Sequence, residues 1–338
     1  MTAHTHRLTG LILALVLLTA SVAGASAQDN NKLNVVATTT QAADLMTILA
    51  GDAVNLTALM GAGVDPHLYQ PTESDIAAMN QANVVIYSGL HLEGQFDTVF
   101  EALGERNVLI YRLSRPIEDA GYVLEATGMA NFAPGAPDPH FWFDPRNWEL
   151  TTMGLAETLA EVDPDNAERY MTNAQAYARE LHTLYDWGVD AMALVPESQR
   201  ALVSSHDAFQ YFGDAFAWDV RGLQGISTQD EAGVADIQDI ADYVVEREIP
   251  VMFVESSVPP NAIEAVQEAV KSRGFDVGIG VRVLFSDAMG EPGTFGGTYI
   301  GMIGTNVITI LQSFGVDIPV WSAELKAQPP AELFEMES

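Results

Sequence analysis

The stretch DPDNAERYMTNAQAYARELHTLYDWGVDAMALV, residues 163–195, reads as one helix of unusual length. Asp163 suits a cap and Pro164 the first helical position, where a missing N–H costs nothing. Tyr170, Met171, Ala174, Tyr177, Ala178, Leu181, Leu184 and Tyr185 then recur at i, i+3, i+4 and i+7, the stripe of a helix with one buried face. About 31 residues at 1.5 Å each span roughly 46 Å, well beyond a typical globular helix. The segment lacks the sustained heptads and flanking charges of a coiled coil, so it reads as a spine crossing from one lobe to another.

On both sides of this spine, apolar strand-like runs alternate with helical patterns, as in a mostly parallel sheet covered by helices. Before it, residues 33–39, 55–60, 84–88 and 108–111 read as strands, with helices over 41–50, capped by Thr40, and over 73–80 and 92–103. After it, residues 201–204, 251–254 and 281–285 read as strands, with helices over 234–246, 261–273 and 297–314. The expected fold class is α/β, with two α/β lobes of mostly parallel sheets joined by one long spine helix. The expected division is a first lobe over 28–162, the connecting helix over 163–195, a second lobe over 196–327 and a frayed acidic tail over 328–338.

Residues 1–27 stand outside this fold. Arg7, the apolar run from Leu8 to Ala20 and the small residues Ala25-Ser26-Ala27 have the order of a secretory signal peptide with its cleavage site. The apolar run is short for a bilayer span, and no later run exceeds it. The protein is therefore expected to be exported. Its 338 residues contain no cysteine, which removes disulfides and a lipid-modified N-terminal cysteine from the expectation and leaves a soluble periplasmic protein, stable on packing alone. With 46 Asp plus Glu against 15 Lys plus Arg, the net charge of −31 repels nucleic acid and anionic membranes. The acids are scattered, so a solvated acidic shell explains them better than a docking face.

Function is carried by four residues in short, unusual contexts: Asp-Pro-His67, Asp-Pro-His140, Ser-Ser-His206-Asp and Phe-Ser-Asp287-Ala-Met-Gly. Three imidazoles and a carboxylate form the donor set of a first-row metal site. His206 and Asp287 follow expected strands at the carboxyl ends, where α/β sheets hold their ligands. His67 and His140 lie in Gly- and Pro-rich loops of the first half, so two donors from each lobe would meet across a cleft. Asp-Pro before each of these two histidines restrains the backbone and with it the direction of the ring. Taken singly, each histidine suits a packed or surface role, and Asp287 suits a solvated turn; the combination is what points to a metal. His4 and His6 leave with the leader. His91, at a helix start beside Gly89, and His182, beside the apolar stripe of the spine, read as structural.

At these motifs the chain resembles the zinc- and manganese-binding solute-binding proteins of ABC importers, the TroA-like family. The matching residues are Asp65-Pro66-His67 with Tyr69 and Pro71, the run from Asp138 to Pro145, Ser205-His206-Asp207-Ala208-Phe209 and Ser286-Asp287-Ala288-Met289-Gly290. Gly89-Leu90-His91-Leu92-Glu93, Gly225-Ile226-Ser227-Thr228 and Val254-Glu255-Ser256-Ser257 extend the match, which runs from about Leu33 to Gly315. The resemblance implies a helical-backbone metal-receptor fold and one Mn2+ or Zn2+ ion held by His67, His140, His206 and Asp287, with Fe2+ ranked behind. It implies delivery to a membrane permease with a cytoplasmic ATPase, and no catalysis. A monomer is expected. Glu255 is a candidate hydrogen-bond acceptor for a liganding imidazole, with a structural salt bridge as the alternative.

Two features pull the metal assignment apart. The stretch from Leu113 to Pro139 has no histidine, unlike the His-rich loop of zinc-specific relatives, whereas His206 stands where many manganese proteins carry glutamate. An exported zinc hydrolase is the rival reading; it lacks an H-E-x-x-H segment and has only Asp207 and Glu255 as candidate bases. A metal-binding surface adhesin is a third reading on the same fold.

Overall fold

The computed structural model describes residues 32–335 apart from 107, 127–134 and 230; the leader read over 1–27 lies outside the described residues. The first half builds β1 (Leu33–Ala37), α1 (Thr40–Ala50), β2 (Val54–Ala58), α2 (Glu73–Gln81), β3 (Val84–Tyr87), α3 (Asp97–Gly104) and β4 (Leu109–Arg112). The four strands form a parallel sheet in the order β2-β1-β3-β4. Val35, Val36 and Ala37 are all buried, as a central strand covered on both faces requires. α1 is capped one residue earlier than expected: the Thr39 hydroxyl accepts from Ala42 N, which leaves Thr40 free for another task described below.

After α4 (Arg115–Ala120) comes a helix that the sequence reading did not anticipate, α5 (Pro145–Val162). Asp144 caps it, accepting from Arg146 N, and Pro145 opens its first turn. The spine itself, α6 (Ala167–Met192), has 26 residues and is shorter than the stretch read from sequence. Pro164–Asn166 forms a separate 3-10 turn, and Asp163 is engaged there by the Tyr170 hydroxyl at 2.6 Å. Tyr170, Ala174, Tyr177, Leu181, Leu184, Gly188 and Ala191 are buried at alternating intervals of four and three, so a heptad-spaced buried stripe does exist. It is satisfied within the chain: α5 folds back along α6 as a helical hairpin, and α1 and α10 (Tyr299–Ser313) also pack against α6. The spine therefore touches helices from both halves.

The second half contains β5 (Ala201–His206), α7 (Gln210–Phe216), β6 (Asp219–Gln224), α8 (Val234–Glu246), β7 (Val251–Met252), α9 (Asn261–Ser272) and β8 (Gly278–Ile279), followed by α10. β5 pairs with β6 and β7 with β8, both parallel, and Phe253 N donates to Val203 O to tie the pairs together. The stretch 281–285, expected as a strand, is a loop with a single bridge between Leu284 and Glu255. Val281 and Val283 lie half exposed, because the chain here turns toward the site instead of extending the sheet. The expected frayed tail is docked through residue 335: Leu333 is buried, Gln312 Nε2 donates to its carbonyl, and Arg282 holds the carbonyls of Glu332 and Glu335. Residues 336–338 lie outside the described residues.

One glycine sets the geometry beside the site. Gly222 of β6 faces the end of β5 so closely that a Cβ there would lie 2.3 Å from Asp207 N and 2.5 Å from the His206 carbonyl carbon. Only glycine permits that approach without displacing the backbone.

Candidate metal centre

The four residues singled out from sequence converge. His67, His140, His206 and Asp287 each offer one ligand atom, and these atoms all lie within 4.8 Å of one another. All four side chains are buried. Asp287 Oδ1 is 3.3 Å from His140 Nε2, and Asp287 Oδ2 is 3.3 Å from His206 Nε2 and 4.0 Å from His67 Nε2. His67 Nε2 and His140 Nε2 approach to 3.4 Å. Donors around a tetrahedral ion with bonds of about 2.1 Å stand roughly 3.4 Å apart, so three of these four separations already match. His206 Nε2 and Asp287 Oδ1 are buried and make no hydrogen bond among the described residues. Two orphaned polar atoms of this kind are costly unless something between them supplies a charge.

The far sides of the rings decide how they face inward. His140 Nδ1 donates to Asp138 Oδ1 at 2.8 Å, and the same oxygen accepts from His140 N at 2.9 Å. His206 Nδ1 donates to Glu255 Oε2 at 2.5 Å, while Glu255 Oε1 accepts from His206 N at 2.8 Å. In each case a buried carboxylate accepts the Nδ1 hydrogen bond and so turns Nε2 toward the centre. Glu255 meets His206 with both of its oxygens, a contact that fits either role, hydrogen-bond acceptor or salt-bridge partner. Asp138 was missed, although the signal was local: an aspartate two residues before a histidine can reach both its N–H and its ring.

Other positioning residues were not legible at all, because their partners are distant in sequence. Gln41 Nε2 donates to the Asp287 carbonyl, Met289 N donates to the freed Thr40 hydroxyl, and Trp142 Nε1 donates to the Ser286 carbonyl. Ser257 Oγ reaches Ser286 Oγ and Asp287 Oδ2, and the buried Asn306 amide bonds both N and O of Phe285. The Asp287 loop, which belongs to the second half in sequence, is thus also fastened to α1 and Trp142 of the first. Around the centre, Trp142 stands edge-on to His140 at 5.3 Å, with Phe141, Phe143 and Phe209 buried behind. Neither remaining described histidine joins it: His91 is an exposed residue 3.5 Å from Asp97, and His182 an exposed one 3.6 Å from Asp186.

Proton affinities within the set diverge. Burial drives His67 down to about 3, with Asp287 opposing and the neighbouring histidines assisting. Burial acts the same way on His140, but Asp138 and Asp287 outweigh it and raise that ring to about 9. His206 is pushed well above its usual value against burial by the charges of Asp287 and Glu255. Burial disfavours the ionised form of Asp287, yet the surrounding histidines hold its carboxyl well below the ordinary range. His140 and His206 are thus drawn toward the protonated form, His67 toward the neutral form and Asp287 toward the carboxylate, a cluster in which a divalent ion can take the place of protons.

Residues 35–313 match the family described as zinc-uptake complex component A, periplasmic. The chain belongs to this family. It is 38% identical over 313 residues to the manganese-binding lipoprotein MntA of Bacillus subtilis, covering 90% of this chain and 98% of that protein. It is 37% identical over 310 residues to the zinc-binding protein TroA of Treponema pallidum, covering 90% and 97% of the two chains. The solved structure of the Treponema pallidum periplasmic zinc-binding protein superposes with a TM-score of 0.78, covering 83% of this chain and 99% of that one. The α/β architecture with its long helix is shared with that neighbour.

Proposed function

We propose that this protein captures one divalent transition-metal ion, Mn2+ or Zn2+, through His67, His140, His206 and Asp287, and delivers it to the membrane permease of an ABC importer with its cytoplasmic ATPase. The observation that carries the reading is the convergence of three Nε2 atoms and one carboxylate in a buried site, with His140 and His206 each aimed by a carboxylate on the opposite nitrogen. Three nitrogens and a carboxylate suit both cargoes, and such a set binds zinc more tightly than manganese whichever it carries in the cell. The relatives named for manganese and for zinc support the same pair of ions.

A hydrolytic zinc site keeps an open position for water and a free base nearby. Here Glu255 is committed to His206, and Asp207 Oδ1 accepts from Gln210 Nε2 at 2.6 Å. Glu255 is engaged through both oxygens by His206, which favours carriage over catalysis. In the proposed division, the lobes over 28–162 and 196–327 are bridged by the spine and brought together by the cargo. The leader reading and the family description support export to the periplasm. The Bacillus relative is named a lipoprotein, so the soluble, monomeric form is proposed with the function; N-terminal mass spectrometry and light scattering test it.

The deciding experiment is metal titration of chelator-stripped protein. One ion per chain is expected, with stabilisation following RT ln(1 + [L]/Kd), about 4 kcal/mol at 1,000 Kd. A melting temperature unmoved by manganese, zinc or iron would falsify the reading.

A further inference from the structure

His67 is held differently from the other two histidines. Its backbone is gripped on both sides: Asp65 Oδ1 accepts from His67 N at 2.8 Å, and Gln229 Nε2 donates to the His67 carbonyl at 3.1 Å. The second oxygen of Asp65, Oδ2, accepts from the Thr228 hydroxyl at 2.5 Å. Thr228 and Gln229 follow β6, whose partner β5 carries His206. Two hydrogen bonds, across sequence separations of 163 and 162 residues, therefore join the His206-bearing sheet to the His67 loop independently of any ion.

We infer that Thr228 and Gln229 form a latch that locks the His67 loop over the bound ion and sets how long the cargo stays. The inference rests on the proposed metal capture. An ion leaving a buried four-donor site must lose its donors in sequence, and His67 is carried by a loop tied to the opposite half by the side chains of Thr228 and Gln229. Swinging that loop away breaks the Thr228–Asp65 and Gln229–His67 bonds before the centre can open. Bonds present in the closed state and broken on the way out slow departure more than arrival, because arrival is governed by diffusion and orientation. The hydroxyl of Thr228 is the active group: it donates to a charged acceptor, the stronger class of hydrogen bond. Thr228 and Gln229 touch no ion and act as positioning residues.

The test uses the full chain loaded with Co2+ or Zn2+ and mixed with excess chelator in a stopped-flow instrument. Thr228→Val keeps the shape and removes the donor, Thr228→Ser keeps the donor, and Gln229→Ala removes the second bond. Release is expected to be roughly 10- to 100-fold faster for T228V, the rate equivalent of a hydrogen bond to a charged group. T228S is expected to release near the wild-type rate and Q229A at an intermediate one, with association changed by less than about threefold. The Co2+ absorption spectrum of T228V should match wild type, since no ligand is lost. T228V binding one ion and releasing it at the wild-type rate overturns the latch alone, as does T228S releasing as fast as T228V, which would assign the effect to packing. Wild-type protein that takes up no metal overturns the capture and the latch together.

Discussion

Two Asp-Pro-His loops stand in this molecule, and the same tripeptide does different work in each. In both, the aspartate accepts from the backbone N–H of the histidine two residues on, at 2.8 Å for Asp65 and 2.9 Å for Asp138. Beyond that they part. Asp138 turns its oxygen to the ring of His140, whereas Asp65 spends its second oxygen on Thr228 of the other half. The proton affinities follow, with His140 raised to about 9 and His67 lowered to about 3. Sequence motif fixes the local turn; the tertiary neighbour decides whether the carboxylate aims a ligand or fastens a loop.

The largest effect should come from the ligands themselves, where the two loops behave alike. His67→Ala and His140→Ala should each weaken metal binding by well over about 100-fold, more than the loss of an orienting partner. Isothermal titration checks this, and near-native affinity in either variant would remove that residue from the donor set.

The aspartates should then separate the loops. Asp138→Ala is expected to weaken equilibrium binding about 10- to 100-fold, because His140 loses the acceptor that fixes its tautomer. Asp65→Ala is expected to show its effect mainly in release rate. Equal losses of affinity in the two variants, with unchanged release, would erase the distinction.

Proton release offers a finer reading. With His140 and His206 raised and His67 lowered in the metal-free site, binding near pH 7 should expel about two protons, so affinity should rise with pH, the His140 proton ceasing to contribute above about 9. Titrations in buffers of different ionisation enthalpy measure the number, and Asp138→Ala should lower it by about one. Stability of the metal-free protein follows from the same shifts. His140, raised above its unfolded value of 6.5, contributes stability that is present below pH 6.5 and lost as pH rises through 9. His67, lowered to about 3, contributes stability present above pH 6.5 and lost as pH falls toward 3. Thermal melts of the metal-free wild type and of the His140→Gln variant across this range test both signs.

The smallest change probes the other half. Gly222→Ala should cost about 1–3 kcal/mol of stability and displace His206, since the new methyl meets backbone at 2.3 Å and backbone cannot turn aside. An unchanged melting temperature would show that the β5–β6 pair has room.

Much of this protein was determined by its sequence. Strand-helix alternation gave the α/β class because burial on both faces of a parallel sheet leaves continuous apolar runs such as 35–37, and the helix over 234–246 was read to its observed ends. The four donors were legible because metal ligands need rare residue types in restrained loops. Local periodicity could not show that α5 folds back along the spine, that 281–285 pairs only through Leu284, or that the tail docks through Leu333. Those outcomes depend on which surface remains uncovered once other elements have packed. Tertiary structure alone placed Gln41 on Asp287 and Thr228 on Asp65, across 246 and 163 residues. A hydrogen bond of a few ångströms leaves no periodic trace in the chain, and only the folded molecule brings its two ends together.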